Sequence, residues 1–196
     1  MSGDHASAAI AAQVRQVEAL LEQRGLLEAG EIDRRIDEFL AGGSPLNGAR
    51  ITARAWLDIE FRERLLGDAN AAIRELDLSM AGGIQEQRLK VLANSATEHN
   101  LVVCTLCSCY PIALLGPSPG WYKSEAYRSR AVRDPRGVLR EFGLELSADT
   151  RVTVWDASAE SRYMVMPRRP PGSEELSEAA LTALVTRNGL IGTAAL

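Results

Sequence analysis

The chain has 196 residues, 46% of them hydrophobic, which is enough to bury one sizeable core and an appendage. A formal net charge of −4 argues against a nucleic-acid-binding protein, because such proteins normally carry a basic patch or stripe. No apolar run reaches the length of about 18 residues that a membrane span needs, and the N-terminus lacks the pattern of a secretory signal peptide. We therefore predict a cytoplasmic protein with neither nucleic acid nor membrane as a partner.

Two amphipathic helices are predicted at the N-terminus. Apolar residues recur every three to four positions across residues 6–27, and again across residues 28–40, before a Gly-Gly-Ser-Pro segment ends the pattern. We therefore predict a helical arm over residues 1–46. Two interpretations of this arm remain open: a hairpin that packs on its own domain, or an arm that embraces a second subunit.

The next segment, residues 48–78, again has a helical pattern. Asp58 and Asp68 are typical N-cap residues, so we expect them to divide the segment into shorter helices. Further along, the period changes, and residues 88–93 and 100–106 are predicted strands. The second of these strands leads directly into the segment that holds every cysteine of the chain.

A basic helix is predicted over residues 122–133. It carries three arginines: Arg128, Arg130 and Arg133. They form either a solvated face or a set of cations that pair with acids such as Asp156 or Glu160, or with a partner chain. The sequence leaves both interpretations open.

The last predicted elements are two strands and two helices. Residues 151–155 and 162–166 alternate as strands do, so we expect a hairpin or an adjacent pair. Pro135 suits the first turn of a helix that ends near Gly143, and residues 177–185 form a last helix. Helices and strands in this order suit a layered α/β (α+β) body.

The three cysteines are the clearest sign of chemistry. Cys104, Cys107 and Cys109 lie three and two residues apart, whereas a disulfide framework needs an even number of thiols. Their spacing indicates a metal or redox site. Structural zinc needs a fourth ligand, and His99 would lie about 15 Å away if residues 100–103 are extended. A non-catalytic zinc or redox module remains an alternative.

The same segment can offer main-chain ligands as well as thiolates. If the amides of Ser108 and Cys109 lose their protons, the Cys107 and Cys109 sulfurs and both amide nitrogens can lie in one plane around a metal. Cys104 can then take an axial position, which leaves one site open. Only a strongly Lewis-acidic ion makes this plausible, so trivalent cobalt or iron fits the arrangement and zinc does not.

The segment Val-Cys-Thr-Leu-Cys-Ser-Cys-Tyr at residues 103–110 closely resembles the metal-binding signature of the nitrile hydratase alpha subunit. Thr105 is typical of the cobalt-type form, since iron-type members usually have serine there. The resemblance covers about residues 48–196. Its other matching segments are residues 53–56, 99–100, 121–123, 127–130, 155–156, 158–160 and 162–165.

This resemblance implies a fold, a cofactor and an activity. It implies a four-layer α-β-β-α domain over residues 47–196, a Co(III) ion in preference to Fe(III), and hydration of a nitrile to an amide. The metal ligands would be Cys104, Cys107, Ser108 and Cys109. Cys107 would be oxidised to a sulfinic acid and Cys109 to a sulfenic acid, and both are assigned a catalytic role. Either the Cys109 sulfenate oxygen or a metal-activated hydroxide would attack the nitrile carbon.

The resemblance also implies protein partners. No general base is evident in the sequence beside the cysteines, and family members complete the site with arginines from a beta subunit, which is one chain or is split into two. An activator protein would insert the cobalt. The N-terminal arm would embrace the second subunit. Taken alone, Gln85 is interpreted as a solvent-exposed loop residue. It lies nineteen residues before Cys104 and is similar to a family glutamine that approaches the active-site pocket, so the resemblance assigns it to the catalytic site.

One departure from the family concerns the substrate pocket. The commonest family form after the cysteines is Tyr-Pro-Trp-Pro, whereas this chain has Ile112 and Ala113 in place of Trp and the second Pro. We assign Thr105 and Ile112 to the pocket. The loss of an indole ring predicts a bulky, heteroaromatic nitrile, as in toyocamycin nitrile hydratases. The cobalt subunit of thiocyanate hydrolase is the main alternative, and Tyr110 favours nitrile hydratase over it.

Overall fold

This computed structural model describes residues 8–81 and 86–196, with the backbone alone for Phe39. The chain divides into two compact units, Met1–Ala41 and Gly42–Leu196. Within the described ranges, no helix combines the length and the apolar character that crossing a bilayer requires.

The N-terminal unit contains both predicted amphipathic helices. They are α1 (Ala8–Gln23) and α2 (Glu31–Gly42). Large apolar side chains on both helices are exposed: Ile10, Val14, Val17, Leu20, Ile32, Ile36 and Leu40. The apolar faces that the periodicity predicted are therefore present, and the side chains named here are exposed to solvent.

Three helices begin the larger unit. They are α3 (Pro45–Leu57), α4 (Ile59–Gly67) and α5 (Ala69–Arg74). The Asp58 carboxylate accepts the Phe61 N–H at 2.9 Å, and the Asp68 carboxylate accepts the Ala71 N–H at 3.1 Å. Both predicted N-caps are therefore confirmed. Each satisfies a backbone donor that the first turn of a helix would otherwise leave without a partner.

Four strands form two parallel sheets. They are β1 (Arg88–Ala93), β2 (Glu98–Val103), β3 (Arg151–Asp156) and β4 (Ser161–Met166). β1 pairs with β4, and β2 pairs with β3, with Val103 opposite Asp156. The predicted hairpin or adjacent pairing of β3 with β4 is wrong. The two strands belong to different sheets, and the rings of Trp155 and Tyr163 lie 5.5 Å apart.

Helices cover both sheets. The remaining helices are α6 (Ile112–Leu115), α7 (Gly120–Lys123), α8 (Glu125–Arg133), α9 (Pro135–Glu141), α10 (Glu178–Leu184) and α11 (Arg187–Ile191). α4, α5 and α11 contact the β1–β4 sheet, whereas α8 and α9 contact the β2–β3 sheet. Because β2 also contacts β4, the order of layers is α-β-β-α, as predicted.

The short helix α11 was not predicted from the sequence. It ends at Gly192, which has a φ of 94° and lies against the backbone of β2, where a Cβ would be 2.0 Å from the Asn100 carbonyl oxygen. Only glycine combines this conformation with such a close approach. The helix is therefore held against the strand that leads into the cysteines.

Candidate metal centre

The three thiols converge in a loop that follows β2 and that we call the cysteine loop, residues 104–109. The Cys107 sulfur lies 3.0 Å from the Cys104 sulfur and 3.0 Å from the Cys109 sulfur. All three sulfurs lie within 4.8 Å of one another. The Cys107 N–H also donates to the Cys104 sulfur at 3.3 Å, which closes the turn. Cys104 is fully buried, Cys109 partly buried and Cys107 exposed, so the cluster lies at the surface with one thiol beneath it.

Asp156 fastens the start of the cysteine loop to the end of β3. Its carboxylate accepts the Thr105 N–H at 2.9 Å and the Thr105 hydroxyl at 2.5 Å. The parallel register places Asp156 opposite Val103, two residues before Thr105. A carboxylate therefore does lie beside the cysteines, and it belongs to an acid that the sequence analysis named only as a candidate partner for the arginines. The assignment of Thr105 to a substrate pocket stays a prediction.

Two further side chains hold carbonyl groups of the cysteine loop. Arg128 Nη1 donates to the Cys107 carbonyl oxygen at 3.3 Å, and the Tyr122 hydroxyl donates to the Cys109 carbonyl oxygen at 3.0 Å. Among the described residues, the pairing of the basic helix with Asp156 or Glu160 is not observed. Its Arg130 instead pairs with an acid of α9, Glu141.

The thiols differ in their acidity. Hydrogen bonds to the Cys107 sulfur lower its pKa to about 7, with the Cys109 thiol as the largest cause and the Cys104 thiol next. Burial raises the pKa of Cys109, the Cys107 hydrogen bond raises it further, and the charge of Arg162 opposes this rise. Cys107 is thus the first of the pair to become a thiolate, which is the form that binds metals.

The backbone amides of the cysteine loop also affect the thiols. After the two neighbouring thiols, the backbone N–H groups of Cys109 and Ser108 are further causes that lower the pKa of Cys107. The loop therefore offers main-chain nitrogens beside its three sulfurs. This donor set fits a late first-row transition metal, since soft thiolates select such ions over Mg²⁺ or Ca²⁺.

Aromatic rings pack behind the loop. The Tyr110 and Tyr122 rings are 5.1 Å apart, and the Trp121 ring lies 4.9 Å from the Tyr127 ring and 4.6 Å from the Phe142 ring. Rings that meet edge to face contribute packing energy beyond their buried area. This cluster supports the loop from the protein side.

The other predicted site residues have different positions. Ile112 is partly buried at the first position of α6, three residues after Cys109. Gln85 lies outside the described residues. Arg162 was not assigned to the site from the sequence, yet it is 8% exposed and close enough for its charge to act on Cys109, while its Nη1 donates to the Ser158 and Ala159 carbonyls.

His99 does not join the cysteines. Its Nε2 is 2.7 Å from the Gly192 carbonyl oxygen, and its Nδ1 is 3.2 Å from the Asn94 side-chain nitrogen. Both ring nitrogens are therefore occupied. In residues 8–81 and 86–196, the three cysteines are the one cluster of side chains with metal-binding geometry, and it offers no fourth side-chain ligand for tetrahedral zinc.

We expect the buried His99 to make stability fall in mildly acidic solution. Burial lowers the pKa of His99 below its usual 6.5, so the unfolded chain binds a proton more readily than the folded chain does. The stability that neutral His99 contributes to the folded chain is fully present above about pH 6.5, and it is lost as the pH falls through the lowered pKa of the folded state. Melting temperatures measured between about pH 7 and pH 5 should therefore fall more steeply for the wild-type protein than for His99→Gln. Equal slopes would contradict the prediction.

Comparison with known proteins identifies the family. The family model described as "Nitrile hydratase, alpha chain" matches residues 8–194. The chain is 51% identical over 183 residues to the low-molecular weight cobalt-containing nitrile hydratase subunit alpha of Rhodococcus rhodochrous. This match covers 93% of this chain and 87% of that protein. It is 41% identical over 186 residues to the thiocyanate hydrolase subunit gamma of Thiobacillus thioparus, covering 91% and 76%.

A solved structure gives the same result. A double mutant of the Fe-type nitrile hydratase from Comamonas testosteroni Ni1 superposes with a TM-score of 0.88 at 37% identity, covering 98% of this chain and 92% of that one. Sequence and fold thus agree over nearly the whole length of the chain. With its convergent thiols and its α-β-β-α body, the chain belongs to the nitrile hydratase alpha chain family.

Proposed function

We propose that this chain is the metal-carrying subunit of a nitrile hydratase that converts a nitrile to the corresponding amide at a Co(III) centre. The observation that carries this proposal is the convergence of three thiols within 4.8 Å at the end of a buried strand. The relative from Rhodococcus rhodochrous, itself named as cobalt-containing, supports the choice of metal.

The cysteine loop would supply all the protein ligands. These are the sulfurs of Cys104, Cys107 and Cys109 and the amide nitrogens of Ser108 and Cys109. A bound trivalent ion would act as a Lewis acid that polarises the nitrile or lowers the pKa of water. The chain's own part is to place these donors: Asp156, Arg128 and Tyr122 hold the loop at three points.

Two of the three thiols, those of Cys107 and Cys109, would be oxidised in the active protein. Cys107 is both exposed and acidic, which is the combination that favours oxidation, and we assign it the sulfinic acid. Cys109 would carry the sulfenic acid, whose oxygen is a candidate nucleophile toward the nitrile carbon. Cys104 is fully buried and would stay a thiolate.

A beta subunit, in one chain or two, would complete the site. The outer side of the cysteine loop is open: Cys107 is exposed and the Leu106 side chain is 92% exposed. Arginines of a partner could hydrogen-bond the oxidised sulfurs there, in the charge-assisted way that suits a guanidinium. The exposed apolar faces of α1 and α2 suit an arm that embraces this partner.

Metal insertion would take place in the cytoplasm, where thiols stay reduced until a metal binds them. We propose a small cobalt activator protein for this step. Gln85 is proposed to approach the substrate pocket. Without its partner, the chain should hydrate nitriles at close to the background rate, which can be measured by comparing the purified chain with the co-expressed complex.

Metal analysis and mass spectrometry of the co-expressed complex test the proposal. We expect one cobalt per chain and a 104–109 peptide heavier by about 48 Da, the mass of three added oxygens. The same complex should release amide from a nitrile. Zinc bound to unmodified thiols in a functional complex would overturn the assignment and favour a non-catalytic module.

Thiocyanate hydrolysis is the second candidate function. The similarity to a thiocyanate hydrolase gamma subunit, at 41% identity, supports it, although the nitrile hydratase relative is more similar at 51%. Tyr110 also favours nitrile hydratase. Assays of the same complex for carbonyl sulfide from thiocyanate and for amide from a nitrile separate the two functions.

We further propose a bulky, heteroaromatic nitrile as the substrate, of the kind that toyocamycin represents. Ile112 follows the cysteine loop where most family members have a tryptophan, and the smaller side chain leaves more room. Ile112→Trp should lower kcat/KM for bicyclic nitriles by about tenfold or more relative to acrylonitrile, because an indole would fill that room. The conservative Ile112→Leu should not change the ratio. A wild-type preference for small aliphatic nitriles would contradict this assignment.

A further inference from the structure

Arg128 is a cation without an acidic partner beside the cysteine loop. In the described parts of the chain, the one hydrogen bond of its guanidinium goes from Nη1 to the Cys107 carbonyl oxygen at 3.3 Å, and its Nε is buried without a partner. Its neighbour Arg130 on the same helix forms an ion pair with Glu141 at 2.7 Å. A half-buried charge is costly unless an opposite charge compensates it.

The position of Arg128 is set by its neighbour in the sequence. The buried hydroxyl of Tyr127 donates to the Val102 carbonyl oxygen at 2.6 Å, which ties α8 to the strand that precedes the cysteine loop. Ser124 caps the same helix by accepting the Tyr127 N–H. The guanidinium therefore extends from a helix that is held directly against β2.

The carbonyl that Arg128 contacts belongs to a particular peptide. The Cys107 carbonyl shares its peptide group with the Ser108 nitrogen, which is one of the two proposed amide ligands. When that nitrogen binds a metal as an anion, the negative charge is shared with the carbonyl oxygen through the planar peptide group. A guanidinium on this oxygen stabilises the charge, since hydrogen bonds between ionised groups are stronger than those between neutral ones.

We propose that Arg128 is a positioning residue that holds the Cys107–Ser108 peptide and stabilises it as an anionic nitrogen ligand. In the metal-loaded site, the thiolates and amidates would carry more negative charge than a trivalent ion neutralises. This excess negative charge would compensate the positive charge of Arg128. This inference rests on the proposed function, which provides the metal. The Tyr122 contact differs, because the Cys109 carbonyl belongs to a peptide whose nitrogen is not a ligand.

Arg128→Met in the co-expressed cobalt complex tests the inference. X-ray absorption should show two nitrogen ligands to cobalt in the wild-type complex and a loss of nitrogen ligation in the variant. Cobalt loss to excess EDTA should be about tenfold to a hundredfold faster, as expected for a lost hydrogen bond to a charged group. Arg128→Lys keeps the charge and should recover part of the retention.

Two matched controls separate this role from general destabilisation. Arg130→Met removes a cation from the same helix, and Tyr122→Phe removes a hydrogen bond to the same loop; both should keep the nitrogen ligands. Wild-type ligation and retention in Arg128→Met would overturn the inference while the proposed function stands. If Arg128→Met does not assemble, Arg128→Gln, which removes the charge but keeps an N–H donor, decides by the same two measurements, because wild-type nitrogen ligation and cobalt retention in it would also overturn the inference. All-sulfur ligation in the wild-type complex would instead overturn the proposed function itself.

Discussion

Cys107→Ser in the co-expressed complex is expected to lose most of its cobalt and to hydrate nitriles about a thousandfold more slowly than the wild-type complex. The Cys107 sulfur lies 3.0 Å from each of the other two sulfurs, so it is the centre of the cluster. A hydroxyl is a harder and far less acidic donor than a thiol, so serine does not replace it. Cobalt content by elemental analysis and amide release from a nitrile are the measurements.

Leu106→Ala is the matched control for this substitution. Leu106 immediately precedes Cys107 in the cysteine loop, but its side chain is 92% exposed in this chain. Its truncation should leave the cobalt content unchanged. If Cys107→Ser retained a full complement of cobalt, the ligand set proposed for the loop would be wrong.

Asp156→Ala is expected to have the second largest effect, a loss of about tenfold to a hundredfold in cobalt affinity. The Asp156 carboxylate accepts two hydrogen bonds from Thr105, so its removal frees the start of the cysteine loop from β3. The three sulfurs would then be held less closely together in the absence of metal. Competition with a chelator of known affinity measures the loss.

Substitutions of Thr105 divide this effect into two parts. Thr105→Val removes the hydroxyl donor but keeps the backbone N–H, so we expect a smaller loss of affinity than in Asp156→Ala. Thr105→Ser keeps both donors and should retain cobalt. An equal affinity in Asp156→Ala and the wild-type complex would show that the loop does not need this contact.

Local patterns in the sequence predicted the features that depend on neighbouring residues. Asp58 and Asp68 cap helices as expected, because an N-cap depends on only the three residues that follow it. The convergence of Cys104, Cys107 and Cys109 likewise follows from close spacing, and a tight turn is enough to produce it.

Features that depend on distant contacts were missed. The pairing of β3 and β4 with separate partners is a matter of sheet assembly, and their alternation alone cannot distinguish it from a hairpin. The contact between Thr105 and Asp156 joins residues that are 51 positions apart. Arg128 was predicted to lie on a solvated face or to pair with an acid or with a partner chain. Within this chain it donates to a backbone carbonyl, a contact that carries no signature in the sequence.

The register of β2 against β3 has a consequence for biosynthesis. Val103 lies opposite Asp156, so the support for the cysteine loop comes from a segment that leaves the ribosome well after the cysteines themselves. Cobalt that reached the nascent polypeptide at an earlier stage would meet three unsupported thiols. Contacts between distant segments also form late in folding, because the intervening chain must first be ordered. Metallation should therefore be a post-translational event that requires an already folded subunit.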